Sequence, residues 1–178
     1  MAPAAGTIRR LFAALTQRRF SNRIKSVDAL AKLVVFGLQG QRYALRLAVV
    51  ERIVAVAQIT SLPSVPAIVM GVINIQGRVI AVVDVAKRFG LPKREIELSD
   101  RLIIARTARR PVALLVSAVF GVIDCPQSQI TAGGRILTHA QYLEGVVKIE
   151  DGLVMIHDLD TFLSPLEEKQ LQHALTPA

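Results

Sequence analysis

The chain has 178 residues, of which 52% are hydrophobic but only 4% aromatic, and it carries a formal net charge of +8. Its apolar residues form short runs, below the ~18 consecutive apolar residues that a bilayer crossing requires, and this argues against a transmembrane helix. Residues 1–32 contain seven Lys or Arg and one acid, whereas the rest of the chain is nearly balanced, so the charge does not indicate a nucleic-acid-binding body.

The basic leader, residues 1–31, predicts an amphipathic helix or a disordered extension. Its apolar residues recur at the spacing of one helical stripe: Ile8, Leu11, Phe12 and Leu15. Its arginines lie mostly off that stripe. This pattern is typical of a helix that lies on an anionic membrane surface or on an acidic partner, for which the candidate contacts are Arg9, Arg10, Leu11, Phe12, Arg18 and Arg19. An extension without a binding role is the alternative.

Downstream of the leader, paired apolar stretches separated by glycine-containing turns predict β-hairpins: 33–38 with 42–47, 71–75 with 78–83, and 145–149 with 153–157. An aspartate closes each of the last two hairpins, and Asp84 and Asp158 are placed to N-cap the short apolar stretches that follow. Ser164 and Pro165 then predict the start of a C-terminal helix over about 165–175.

The chain also contains an internal duplication. Residues 33–54 align without a gap on 102–123, and residues 71–89 align on 145–163. Gly71 to Asp84 has the same spacing as Gly145 to Asp158, which supports the alignment. Four or five short strands per repeat favour a closed barrel, since closure removes exposed sheet edges. The sequence therefore predicts a mainly β fold in which two pseudo-symmetric barrels, built mainly from 33–89 and 102–163, pack together through an apolar seam.

Residues that could support catalysis or metal binding are sparse. His139, His157 and His173 are far apart and have no Cys or carboxylate at metal-ligand spacing, so no metal site is expected and His157 is interpreted as structural. Residues 132–135 have two glycines but lack the lysine of a phosphate-binding loop. The single Cys125 excludes an internal disulfide and, with arginines interrupting any signal-peptide core, predicts a reducing, cytoplasmic compartment. We expect no catalytic residue and no cofactor.

Residues 61–92 resemble the CheW-like domain. The matching positions follow that family's pattern of a proline-containing loop, Gly-Val-x-Asn-Leu-Arg-Gly, a strand and Asp-Leu-x-x-x-Phe: Pro63, Gly71, Val72, Asn74, Ile75, Gly77, Asp84, Val85 and Phe89. Residues 43–54 are similar to the upstream part of the pattern. The resemblance runs from about Lys32 to Leu163 and defines a CheW-like domain over 32–178.

The resemblance implies two five-stranded SH3-like barrels and a non-enzymatic adaptor of bacterial chemosensory signalling. Such an adaptor links the cytoplasmic tip of a chemoreceptor to the regulatory domain of a CheA-type histidine kinase in membrane-associated arrays. The receptor-binding groove would comprise Leu47, Val50, Arg52, Gln76, Val119 and Val122. The kinase or coupling surface would comprise Gly71, Asn74 and Gly77.

Two residues depart from the family pattern. The family's arginine before the last glycine of the motif is Gln76, and the glutamate that can pair with it is Arg52. A receptor with an acidic residue at the contact would suit Arg52. The alternatives are an adaptor of a non-flagellar chemosensory pathway and, from another class, a small basic barrel that binds nucleic acid. The body has few aromatic residues for base stacking, so nucleic acid is the less favoured partner.

Overall fold

A computed structural model of the chain describes residues 29–133, 142–150 and 152–176. The strands within these ranges are β1 Leu30–Leu38, β2 Gln41–Arg46, β3 Val50–Ala55, β4 Val69–Ile75, β5 Arg78–Asp84, β6 Arg101–Arg106, β7 Pro111–Val116, β8 Ala118–Pro126, β9 Thr131–Ala132, β10 Leu143–Ile149 and β11 Gly152–His157. The helices are α1 Val85–Arg88 and α2 Pro165–Leu175. Neither helix has the length and apolar character of a membrane-spanning segment.

The strands form two sheets, which confirms the mainly β prediction. One sheet has six strands in the order β8-β1-β2-β11-β10-β9, and the other has five in the order β3-β6-β7-β5-β4. The duplication is visible in the strand register. Leu33 pairs with Arg46 as Leu102 pairs with Leu115, and these pairs are equivalent in the repeat alignment. Thus the strands β8-β1-β2-β11-β10 of the larger sheet correspond, in the same order, to the strands β3-β6-β7-β5-β4 of the smaller sheet under the repeat alignment.

The sequence predicts that each barrel is built mainly from one repeat, and this is wrong. Each sheet contains strands from both repeats. The first hairpin of each repeat, β1–β2 or β6–β7, lies in the sheet that contains the second hairpin of the other repeat. Strand β8 follows β7 after the single residue Ser117 but does not pair with the first hairpin of its own repeat. Strand β8 pairs with β1 instead, and residues 33–89 and 102–163 exchange their first hairpins.

In each sheet, the segment that follows one edge strand pairs with the strand at the opposite edge. Thr60, after β3, exchanges two backbone hydrogen bonds of 2.8 Å with Val72 on the opposite edge strand β4. In the other sheet, β9 follows β8 and pairs with β10. This edge-to-edge pairing is what a small closed barrel requires. The SH3-like form of the barrels stays a prediction.

Three apolar clusters fill the fold because successive side chains of a strand point to opposite faces. A central cluster lies between the sheets and includes Phe36, Leu45, Ile103, Leu114 and Phe162. A second cluster lies on the other face of the six-stranded sheet, and it contains Cys125 as a buried thiol. A third occupies the corresponding face of the five-stranded sheet. The predicted apolar seam is therefore mostly filled by the protein's own core.

The predicted caps are confirmed. The Asp84 carboxylate accepts a hydrogen bond of 2.9 Å from the Lys87 amide, and Asp158 accepts one of 3.0 Å from the Asp160 amide of a 3-10 turn. Ser164 begins α2, and its side chain and that of Glu167 form a reciprocal capping box. These side chains accept hydrogen bonds from backbone amides of the first helical turn, which explains why both helices begin where the sequence indicates.

A candidate partner-binding strip along the seam

An apolar strip runs out of the central cluster on the two edge strands β3 and β8. Val50 and Val119 occupy equivalent repeat positions, are half-buried and pack against the central cluster. Three residues further along each strand, Ile53 is 42% exposed and Val122 is 52% exposed. We call these four residues the seam strip. The half-buried Leu47, in the 3-10 turn before β3, lies at the same end of that strand.

The exposure of the strip arises from bulges at equivalent positions of β3 and β8. The pairing of β3 with β6 shifts between Val50 and Arg52, so Glu51 is the additional residue. In β8 the shift falls between Val119 and Gly121, so Phe120 is the additional residue. A bulge bends its strand and re-aims the side chains beyond it. Ile53 was missed by the sequence reasoning, although its alignment with Val122 was available.

Arg52 and Gln76 are brought together beside the strip. The Arg52 guanidinium donates a hydrogen bond of 3.1 Å to Gln76 Oε1, which joins β3 to the β4–β5 turn. The neighbouring Glu51 accepts from Arg106 at 2.9 Å and from Arg78 at 3.3 Å. The Arg106 hydrogen bond is the main cause that holds the pKa of Glu51 below its ordinary value. With three arginines around one carboxylate, this border of the strip has an excess of positive charge.

The predicted coupling residues shape the β4–β5 hairpin. Asn74 Oδ1 accepts a hydrogen bond of 2.8 Å from the Gly77 amide, across a turn in which Gln76 and Gly77 have φ of 53° and 82°. Gly71 is buried, and its role at a kinase or coupling surface stays a prediction. A Cβ at Gly71 would lie 2.3 Å from the Thr60 carbonyl oxygen. Its requirement for glycine comes from the close backbone pairing that joins the sheet edges.

At the bulge of its edge strand, the six-stranded sheet has the aromatic residue Phe120, whereas the five-stranded sheet has the charged residue Glu51. Phe120 is the repeat equivalent of Glu51 and is 57% exposed. Its ring lies over Gly37, where a Cβ would approach to 3.0 Å, and the Arg42 guanidinium lies 5.0 Å from the ring centroid. The sequence reasoning missed this exposed ring because it placed most aromatic residues inside apolar runs. The two pseudo-symmetric surfaces therefore differ in chemistry.

His157 is a structural residue in the core. It is 7% exposed, its Nδ1 lies 2.8 Å from the Tyr142 carbonyl oxygen, and its ring stacks on Phe89 at 4.2 Å. Burial lowers the pKa of His157 from 6.5 to about 4, so the imidazole is neutral at pH 7. Within the described ranges, no group of three or more His, Cys, Asp or Glu side chains could hold a metal ion.

Some of the predicted positions lie outside the described residues. They are His139, residues 134–135 of the predicted connection, and the leader contacts Arg9, Arg10, Leu11, Phe12, Arg18 and Arg19. The leader joins the described part of the chain at Ala29, whose carbonyl oxygen accepts a hydrogen bond of 2.9 Å from the Gln127 amide.

Comparison with known proteins identifies the family. The sequence model of the CheW-like domain matches residues 32–167. The chain is 32% identical over 134 residues to "Chemotaxis protein CheW" of Bacillus subtilis, covering 74% of this chain and 86% of that protein. It is 30% identical over 145 residues to the protein of the same name from Thermotoga maritima, covering 80% and 95%. The crystal structure of the scaffolding protein TtCheW from Thermoanaerobacter tengcongensis is similar, with a TM-score of 0.72, 31% identity, and coverage of 78% of this chain and 96% of that one. The chain therefore belongs to the CheW-like domain family.

Proposed function

We propose that this chain is a non-enzymatic scaffold of bacterial chemosensory signalling that links the cytoplasmic tip of a chemoreceptor to the regulatory domain of a CheA-type histidine kinase. The observation that carries the proposal is the family match over residues 32–167, because the relatives are named chemotaxis proteins and the structural relative is described as a scaffolding protein. In this role the protein works in the cytoplasm at membrane-associated receptor arrays.

The seam strip suits a helical partner. A receptor tip presents an apolar face at i, i+3, i+4 and i+7, and such a face is bound in an apolar groove. Val50 and Val119 are held against the core, and Ile53 and Val122 offer exposed apolar surface further along their strands. Removing these exposed side chains from water contributes to binding at roughly 25 cal/mol per Å² of apolar area, before the costs of association.

Arg52 and Gln76 set the charge requirement of the groove. The family's acid–base pair is replaced by an arginine that donates to an amide, so the guanidinium keeps its full positive charge. An acidic side chain on the receptor helix can bind Arg52 and leave Gln76 as a neutral neighbour. The replacement favours a receptor whose contact charge is opposite to the family's usual pattern, and hence an adaptor that serves a particular array or a related pathway.

The receptor contact is tested by reversing the charge of Arg52. Arg52→Glu should weaken binding to the cognate receptor fragment by about tenfold, as expected for the loss of an attractive charge pair and the gain of a repulsive one. Arg109→Glu is the matched control, because it makes the same charge change on the exposed β6–β7 turn. Binding is measured by pull-down and by titration against a panel of receptor fragments. Equal affinity of both variants would remove Arg52 from receptor recognition.

The kinase contact is tested by co-purification with regulatory domains of CheA-type kinases, followed by a phosphorylation assay with receptor fragments. The proposal expects a ternary complex in which receptor state controls kinase activity. Binding to no kinase regulatory domain would refute the adaptor role, and binding of comparable strength to RNA or DNA would favour the barrel alternative.

A further inference from the structure

A second exposed apolar residue lies at the point where the leader joins the body, beyond an ion pair between Lys32 and Asp124 that separates it from the seam strip. Leu30 and Val34 of β1 pair with Pro126 and Val122 of β8, respectively. Leu30, Val34 and the core residue Phe36 share one face of β1, because they are separated by even numbers of residues. Leu30 is 61% exposed and Val122 is 52% exposed on this face. An apolar residue therefore lies in solvent where the chain enters β1.

The leader carries a matching apolar stripe within reach of this surface. Residues 1–28 lie outside the described residues, and their sequence places Leu11, Phe12 and Leu15 on one predicted helical stripe. The chain from Leu15 to Ala29 can span about 46 Å when extended. Val122 lies only about 13 Å along β8 from the level of Leu30, at about 3.3 Å per residue. The stripe can therefore reach the β8 residues of the strip, Val119 and Val122, in the same molecule.

The Arg52 border of the seam strip is basic and disfavours the leader's arginines, whereas the β8 end carries an exposed acid. Asp124, between Val122 and Pro126 on β8, binds Lys32 at 2.8 Å and keeps half of its side chain exposed. A half-exposed carboxylate retains lone pairs for a second cation such as an arginine of the leader. The leader's arginines lie mostly off its apolar stripe, so they can stay hydrated when the stripe is buried.

We propose that the leader binds in cis across Leu30, Val122 and Val119, and so competes with the receptor helix for the β8 half of the groove. This inference rests on the proposed function for the identity of the competitor, but the docking itself is independent of it. Tethering supplies an effective concentration of about 1 mM. If the stripe binds with a dissociation constant of about 0.1 mM, the ratio of bound to unbound leader is about ten. The leader would then lower the apparent receptor affinity by about tenfold.

Docking is tested without any receptor, by the reactivity of a thiol placed on the strip. In full-length Val122→Cys, the maleimide reaction should be slowed about tenfold when the leader is bound. The wild-type chain gives the background, because its single Cys125 is buried. Adding Phe12→Asp should restore fast reaction by placing a charge on the stripe. Adding Ala13→Asp is the matched control, which makes the same charge change off the stripe and should leave the thiol protected.

Equal thiol reactivity in all three proteins would overturn the inference, and so would equal loss of protection in both leader variants. Receptor binding provides the second measurement, made without the cysteine. Phe12→Asp should bind receptor about tenfold more tightly than Ala13→Asp. If no variant binds receptor while the thiol is protected, the proposed function fails and the docking stands. If the full chain floats with phosphatidylserine vesicles and its thiol is unprotected without them, the leader is a membrane anchor and the inference is wrong.

Discussion

Replacement of Gly71 by alanine should open the five-stranded sheet at its closing edge. The new Cβ would lie 2.3 Å from the Thr60 carbonyl oxygen and 3.0 Å from Ile59 Cγ2, at a backbone φ of +146° that L side chains rarely adopt. The backbone strain costs about 1 kcal/mol. Displacement of Thr60 also forfeits the hydrogen bond that its carbonyl accepts from Val72 and the one that its amide donates to Val72, each contributing about 1 kcal/mol. The expected loss in the free energy of unfolding is therefore about 3 kcal/mol.

Gly77→Ala is the matched control for this prediction. Gly77 also has a positive φ, of +82°, but a Cβ there would meet nothing within 4 Å. It should cost about 1 kcal/mol, which is the conformational penalty alone. Urea unfolding measures both variants, and the slopes of the transitions should match wild type so that the midpoints report stability. If Gly71→Ala loses no more stability than Gly77→Ala, the close approach to Thr60 does not explain the glycine.

Two further stability predictions follow from single contacts. Ser164→Ala removes the side-chain half of the α2 capping box and should lower the free energy of unfolding by about 1 kcal/mol, whereas an unchanged urea midpoint would show that the cap contributes nothing. His157 has a pKa lowered from 6.5 to about 4 by burial, so its contribution to stability is complete above pH 6.5 and is lost as the pH falls toward 4. When the pH is lowered from 7.5 to 5, the free energy of unfolding of wild type should therefore fall by about 2 kcal/mol more than that of His157→Phe. Urea unfolding at each pH measures this difference, and the same pH dependence in both proteins would contradict the prediction.

Local patterns determined much of the fold because they depend on neighbouring residues alone. The turn at Gln76 and Gly77 lies where the sequence indicates, since few residues other than glycine adopt the required φ. Helix α2 spans Pro165–Leu175 as predicted, because Ser164 and Pro165 satisfy and pre-form its first turn. The duplication was also readable, since equivalent register in the two sheets needs equivalent apolar spacing.

The family resemblance added candidate positions that periodicity could not supply. It placed Arg52 opposite Gln76, and the hydrogen bond between them is present. It also named Gly71 as a coupling residue, and the structure shows this glycine buried against the Thr60 carbonyl oxygen. A motif aligned to a family reports that a position is constrained, but contact with a partner and close backbone packing constrain a glycine in the same way.

The sequence by itself determined the hairpins, the caps, the repeated unit and the family of this protein. Only the tertiary structure decided which hairpin joins which sheet, because the two repeats offer almost identical apolar patterns and either second hairpin could pair with either first hairpin. The tertiary structure also decided which valines are functional candidates. Val50 and Val122 look alike in sequence, but one is held by the central cluster and the other is half exposed, and burial depends on neighbours distant in the chain.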